Sequence, residues 1–217
     1  MTERIERKGK FFVMEGGPGS GKSTQLSLLA KELGKKWVYY REPGSTVFGE
    51  FMRTAVQSRL GGEGDPYPVH SYAALFAYSA ARANLIRLKV IPALQEGRNV
   101  GLDRYWYSTY AYQGAEGVSK VLIYAVSLIA TRGLQPNLVL HYDLLPQIGI
   151  ERKNKDYDSD KDRYDVRKLE FHEVVRANYH QLKFLYPGIW EVIDASKSID
   201  EVKADSLRML KKHGLLR

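Results

Sequence analysis

The sequence predicts a three-layer α/β domain, a parallel sheet flanked on both faces by helices, and three observations predict it. Short apolar, β-branched or aromatic runs alternate with long amphipathic stretches, the pattern of strands buried on both faces and joined by crossover helices. Each run is bounded by glycine, proline, asparagine or charged residues, which end a strand cleanly. The first run opens directly into a glycine-rich turn.

Taken in order, Phe11–Glu15 is the first predicted strand, and the turn after it leads into an amphipathic helix over Lys22–Leu33. Trp37–Tyr40 is the second strand. A long helical period covers Val69–Gln95, followed by a strand at Asn99–Asp103 and a helix over Ser119–Thr131. Leu138–Asp143 and Trp190–Asp194 complete the strands, with helices over Lys168–Leu185 and Ile199–Lys212. Several strands end on an acidic residue. In an open sheet of this kind ligands bind beyond the carboxyl ends of the strands, so chemistry is expected in the segments that follow them.

Composition narrows the field. The 217 residues, 44% of them hydrophobic, suffice for one good-sized core, and no repeat or low-complexity linker divides them, so a single domain over 1–217 is expected. The absence of cysteine excludes a disulfide framework and any cysteine-ligated zinc or iron-sulfur site. The N-terminal MTERIERKGK is charged and the apolar FFVME after it is too short for an export signal or a membrane span, so a cytoplasmic location is expected. The net charge of +8 attracts polyanions, but the basic residues are scattered instead of forming an aromatic-interleaved stripe. Phosphorylated small molecules therefore explain the charge better than nucleic acid does.

The turn Gly16-Gly17-Pro18-Gly19-Ser20-Gly21-Lys22-Ser23 satisfies G-x-x-x-x-G-K-[ST] between a strand and a helix. Gly16, Gly17, Gly19, Ser20 and Gly21 are expected to aim backbone N–H groups at the phosphates of ATP, with Thr24 beside them. Lys22 is expected to reach the transferred phosphate, and the Ser23 hydroxyl to hold Mg²⁺. A P-loop alone does not separate kinases from GTPases, motors or helicases. The guanine-reading N-K-x-D is missing: Asn154-Lys155-Asp156 has no apolar strand before it. A small one-domain P-loop protein points to a small-molecule kinase.

Beyond the P-loop come Arg41-Glu42-Pro43-Gly44-Ser45-Thr46, then Asp103-Arg104-Tyr105 with a trailing Ser108 and Ala111-Tyr112-Gln113-Gly114, and finally Ile193-Asp194-Ala195-Ser196. In this order and spacing the motifs resemble the thymidylate kinase family, and the resemblance runs from Phe11 to about Val202. It implies the P-loop nucleoside-monophosphate-kinase fold, with a five-stranded parallel sheet and a mobile lid. It further implies phosphoryl transfer from Mg-ATP to dTMP, usually in a homodimer. A kinase of the same fold with another nucleoside monophosphate acceptor, or a nucleotide-sensing P-loop protein without turnover, remains as an alternative.

The resemblance also distributes roles. Arg104 and Arg53 are expected on the acceptor phosphate, with Arg41 either beside them or holding its loop by a salt bridge. Asp103 would hold Mg²⁺ with Ser23, or orient Arg104. Tyr78 would stack on the base while Arg82, one helical turn later, donates to its 4-carbonyl, favouring thymine or uracil over cytosine, whose amino group would oppose the donor. Phe76, the rival aromatic, is expected in the core. Ser108, Thr109 and Gln113 complete the acceptor site, and Tyr112 would lie under the deoxyribose. Residues 152–166 form the lid, with Arg163 as the best match for its catalytic arginine, Arg152 next for that role, and Arg152 also expected on ATP.

Three features depart from the family pattern. Gly19 stands where some members carry a P-loop arginine, and the lid is more acidic than usual. Pro18 replaces the Asp or Glu that accepts from the 3′-hydroxyl of dTMP, which predicts weak reading of that hydroxyl.

Overall fold

The computed structural model describes residues 5–57, 69–155 and 162–216. Five strands, β1 (Phe11–Glu15), β2 (Trp37–Arg41), β3 (Asn99–Asp103), β4 (Leu138–Asp143) and β5 (Trp190–Asp194), form a parallel sheet in the order β2-β3-β1-β4-β5. The central β1 is buried along its whole length. Its alternating side chains feed both layers: Phe11 and Val13 enter one apolar cluster, Phe12 and Met14 the other. Burial on both faces is why β1, β3 and β4 read as continuous apolar runs.

Helices α1 (Lys22–Leu33) and α9 (Ile199–Lys212) cover the face that holds Phe12 and Met14. On the opposite face pack α3 (Ser71–Leu85), α4 (Ile91–Gln95), α5 (Trp106–Ala115), α6 (Lys120–Thr131) and α8 (Leu169–Leu185), with α2 (Val47–Gln57) at their edge. The remaining helix, α7 (Pro146–Lys155), follows β4 and rests on the P-loop. None of the described helices is long and apolar enough to cross a membrane.

The strand predictions hold, and β2 extends one residue further, to Arg41. The helical stretch expected over Val69–Gln95 begins at Ser71, capped by the His70 ring, and passes through a π-helical turn at Ile86–Val90 before α4. The segment read as lid does not begin as one: Arg152 to Lys155 are the last turn of α7. Residues 156–161 of that expected lid lie outside the described residues.

Strand register gathers the polar ends. Met14 pairs with Asp103, Arg41 with Asp103, Glu15 with His141 and Asp143 with Asp194. One rim of the sheet thus carries the chemistry, next to the P-loop.

Candidate active site

The P-loop leaves β1 at Gly16 and enters α1 at Lys22. Gly19 and Gly21 take φ of 65° and 77°, a left-handed backbone that residues with a Cβ adopt only under strain. Lys22 curls back over the loop, its Nζ donating to Gly16 O (2.9 Å), Gly17 O (2.8 Å) and Ser20 Oγ (3.0 Å). Burial, and then the Arg104 guanidinium nearby, lower its pKa from 10.5 to about 7. A phosphate in the loop would reverse that shift by supplying opposite charge. Gly19, Ser20, Gly21, Lys22, Ser23 and Thr24 line a cleft of about 1090 Å³.

Across the cleft stand Arg53, Asp103 and Arg104. Arg104 also has a left-handed backbone, φ 67°, and its N–H donates to Met14 O, tying the turn to β1. Its Nη1 donates to Gly16 O (3.3 Å) and Ser108 Oγ (3.0 Å), and its guanidinium lies 5.4 Å from the centre of the Tyr112 ring. Asp103 Oδ1 is buried without a protein partner, and the Asp103 and Ser23 side chains belong to the same cleft. A hard oxygen acceptor of this kind, with a hydroxyl and phosphate oxygens, suits Mg²⁺, which keeps several waters and needs only one or two carboxylates. Arg41 is paired with Glu50 at 3.1 Å, as the salt-bridge alternative expected.

A second, narrower pocket adjoins the cleft and shares Arg104 with it. Tyr78, Arg82, Thr109 and Tyr112 wall it, with Ser108 and Gln113 at its side. Arg82 Nε donates to Glu42 Oε2 at 2.5 Å and Nη2 to Thr109 Oγ1 at 3.1 Å. Both members of the ion pair are buried, and burial, opposed by Arg82, raises Glu42 to about 7. Arg82 Nη1 and Glu42 Oε1 find no protein partner. Phe76 corrects the expectation of a core residue: it is 55% exposed, on the outer side of α3, while Tyr78 faces inward. Ser108 and Gln113 already have protein partners, Glu15 for the first (2.6 Å) and Tyr164 for the second (2.8 Å).

Comparison with known proteins bears on the same residues. A family model described as thymidylate kinase matches residues 14–206, a span that contains every site segment above. The chain belongs to the thymidylate kinase family. Among its relatives, the thymidylate kinase of Pelotomaculum thermopropionicum is 39% identical over 205 residues, 93% of this chain and 92% of the relative. That of Halalkalibacterium halodurans is 36% identical over 208 residues, 94% and 97% of the two chains. The Clostridium novyi thymidylate kinase is 33% identical over 199 residues, 90% and 95%.

As a thymidylate kinase family member the chain was expected to bring Arg163 over ATP, and the structure places it elsewhere. Arg163 Nη1 donates to Val69 O (2.7 Å) and Nη2 to Glu116 Oε1 (2.9 Å), and the residue lines neither pocket. In this arrangement it ties the end of the lid segment to Val69, just before α3, and to Glu116, just after α5. Of the two lid arginines, Arg152 is the one at the P-loop, donating to Ala195 O at 3.0 Å and reaching Gly19 O at 3.5 Å. Beside it Lys153 lines the cleft and pairs with Asp165 at 3.3 Å.

Sequence reasoning missed Glu15, Glu42, Lys153 and Asp165 as members of the site. For Glu15 and Glu42 a signal existed, since both sit where a strand meets its ligand-facing turn. Lys153 and Asp165 carry none, because only folding brings the two sides of the lid together.

Proposed function

We propose that this chain transfers the γ-phosphate of Mg-ATP to the 5′-phosphate of dTMP, releasing dTDP and ADP. The observation that carries the reading is the narrow pocket beside the phosphate cleft, with Arg82 and Glu42 in its lining. Arg82 is a donor only, so placed against the 4-position of the base it suits the 4-carbonyl of thymine or uracil and opposes the 4-amino group of cytosine. Tyr78 and Tyr112 supply aromatic walls, and the shared Arg104 links the base pocket to the phosphate cleft.

The chemistry asks mainly for positioning and charge. An ionised oxygen of the acceptor phosphate attacks the γ-phosphorus while the bond to the β,γ-bridging oxygen breaks, so no side chain need remove a proton. Arg53 and Arg104 hold the acceptor phosphate. Lys22 and the P-loop N–H groups hold the donor phosphates, and Arg152 flanks them. Ser23 and Asp103 would hold Mg²⁺, which neutralises charge on the phosphate oxygens.

The test is a coupled ADP-release assay with dTMP, dUMP, dCMP, dGMP, UMP and thymidine as acceptors. Turnover is expected with dTMP, weaker turnover with dUMP and none with dCMP or dGMP; a preference for either of the latter overturns the reading. Because Pro18 offers no side-chain acceptor, 3′-deoxy-dTMP is expected to retain kcat/KM within about tenfold of dTMP. A loss beyond roughly a hundredfold would mean that another group, such as Asp162 or Asp165 of the pocket lining, reads the 3′-hydroxyl.

We further propose a homodimer. Neighbouring helices α2, α3 and α6 present Phe51, Phe76, Val121, Leu128 and Ile129 to the outside, Phe51 and Ile129 at 66% and 73% exposure. Such a patch on adjoining helices is the kind of surface that another protein covers, and self-association accords with the family resemblance. Light scattering after gel filtration is expected to give twice the chain mass for the wild type and the single mass for a Phe76→Glu, Leu128→Glu variant. A monomeric wild type at micromolar concentration overturns it.

A further inference from the structure

Glu15 is the last residue of β1 and is wholly inaccessible to solvent. A carboxylate so placed requires donors, and it has three. The Tyr105 N–H donates to Oε1 at 2.7 Å, and Ser108 Oγ (2.6 Å) and the Tyr179 hydroxyl (3.0 Å) donate to Oε2. Two of these lead to the same neighbour. Tyr105 N belongs to the peptide directly after Arg104, and Ser108 Oγ in turn accepts from Arg104 Nη1.

The carboxylate therefore grips both the backbone beyond Arg104 and the hydroxyl that steadies its guanidinium. Arg104 needs such a grip, because a left-handed arginine persists only where its surroundings over-determine it. The third donor, Tyr179, comes from α8 on the far side of the lid segment, and lies 2.9 Å from Ser108 Oγ. Burial raises the Glu15 pKa, while Arg104 and the three donors oppose that shift.

We propose that Glu15 is a positioning residue for phosphoryl transfer, acting on the acceptor phosphate solely through the placement of Arg104. The proposal rests on the reading of Arg104 as an acceptor-phosphate ligand. Glutamine in its place keeps the size but loses the charge and one acceptor oxygen, so a hydroxyl that now donates must turn to accept from its N–H₂, which disturbs the contact to Arg104.

A double-mutant cycle with Glu15→Gln and Arg104→Ala tests it. In the wild-type background Glu15→Gln is expected to lower kcat/KM for dTMP by about thirtyfold and to leave KM for ATP within about twofold. In the Arg104→Ala background the same change is expected to cost less than about threefold, because the residue it positions is gone. Equal losses in both backgrounds would overturn the proposal and leave the role of Arg104 standing. An Arg104→Ala enzyme with wild-type kcat/KM for dTMP would overturn both. Should Glu15→Gln fail to fold, Tyr179→Phe removes one donor from the same oxygen. It is expected to cost about threefold to fivefold in the wild-type background and nothing without Arg104; a loss independent of Arg104 overturns the proposal in the same way.

Discussion

Lys22→Met is expected to abolish useful turnover while leaving the fold intact. The Lys22 ammonium is held at the P-loop by Gly16 O, Gly17 O and Ser20 Oγ, which use its three N–H donors, so it meets the donor phosphate by exchanging one or more of these bonds while staying in place. Removing such a cation should lower kcat by about 10²–10³-fold. Stability should respond in the opposite sense. The folded-state pKa of about 7 lies below the ordinary 10.5, so between these values the unfolded chain binds the extra proton. Wild-type stability should then rise with pH from 7 to 10.5, by up to about 1.4 kcal/mol per pH unit, and the Met variant should lack that slope. Steady-state kinetics and urea unfolding at several pH values check the two halves separately. Near-wild-type kcat would remove Lys22 from the chemistry.

Gly149→Val is expected to damage the ATP side most. A Cβ on Gly149 would stand 2.4 Å from Pro18 O, and one on Gly19 would stand 2.2 Å from Gly149 O. The P-loop and α7 thus touch backbone to backbone, and a side chain must push them apart by roughly 1 Å to reach ordinary contact. Arg152, on the same helix, would be drawn away from Gly19 and Ala195. A misplacement of that size can cost about a hundredfold in rate, and it should appear as a raised KM for ATP with KM for dTMP little changed. Wild-type constants for ATP would mean that α7 can separate from the loop at no cost.

The strands were legible because the three central ones, β1, β3 and β4, are buried almost throughout and all five are short apolar runs bounded by turn or charged residues, a pattern that needs no knowledge of neighbours. The amphipathic helices α1, α8 and α9 were legible for a related reason, one apolar side against the sheet. Helix α5 was not: Trp106, Tyr107, Thr109, Tyr110, Tyr112 and Gln113 are all buried, so no polar face marks its period. In α7 only Pro146 and Gly149 are buried, and its charged last turn reads as part of the lid. The P-loop could be read to the residue because its chemistry is local. Arg163 could not be placed from sequence, since its position depends on Glu116, far away in the chain. Nor could Glu15, whose partners come from α5 and α8.

The buried pair of Arg82 and Glu42, 2.5 Å apart and each with a side chain only 4% exposed, also constrains how the acceptor preference can evolve. Breaking such a pair from one side costs roughly 3–5 kcal/mol, a large part of the roughly 5–15 kcal/mol that keeps a domain folded. The two sides are not equivalent. If Arg82 is lost first, Glu42, already raised to about 7 by burial, takes up a proton and survives as a neutral acid. If Glu42 is lost first, an arginine that cannot give up its charge is stranded in the core. A lineage that exchanges thymine for another base therefore has an ordered path, with the arginine replaced before the glutamate, and the reverse order passes through an intermediate that selection removes for misfolding before its new specificity can be tried.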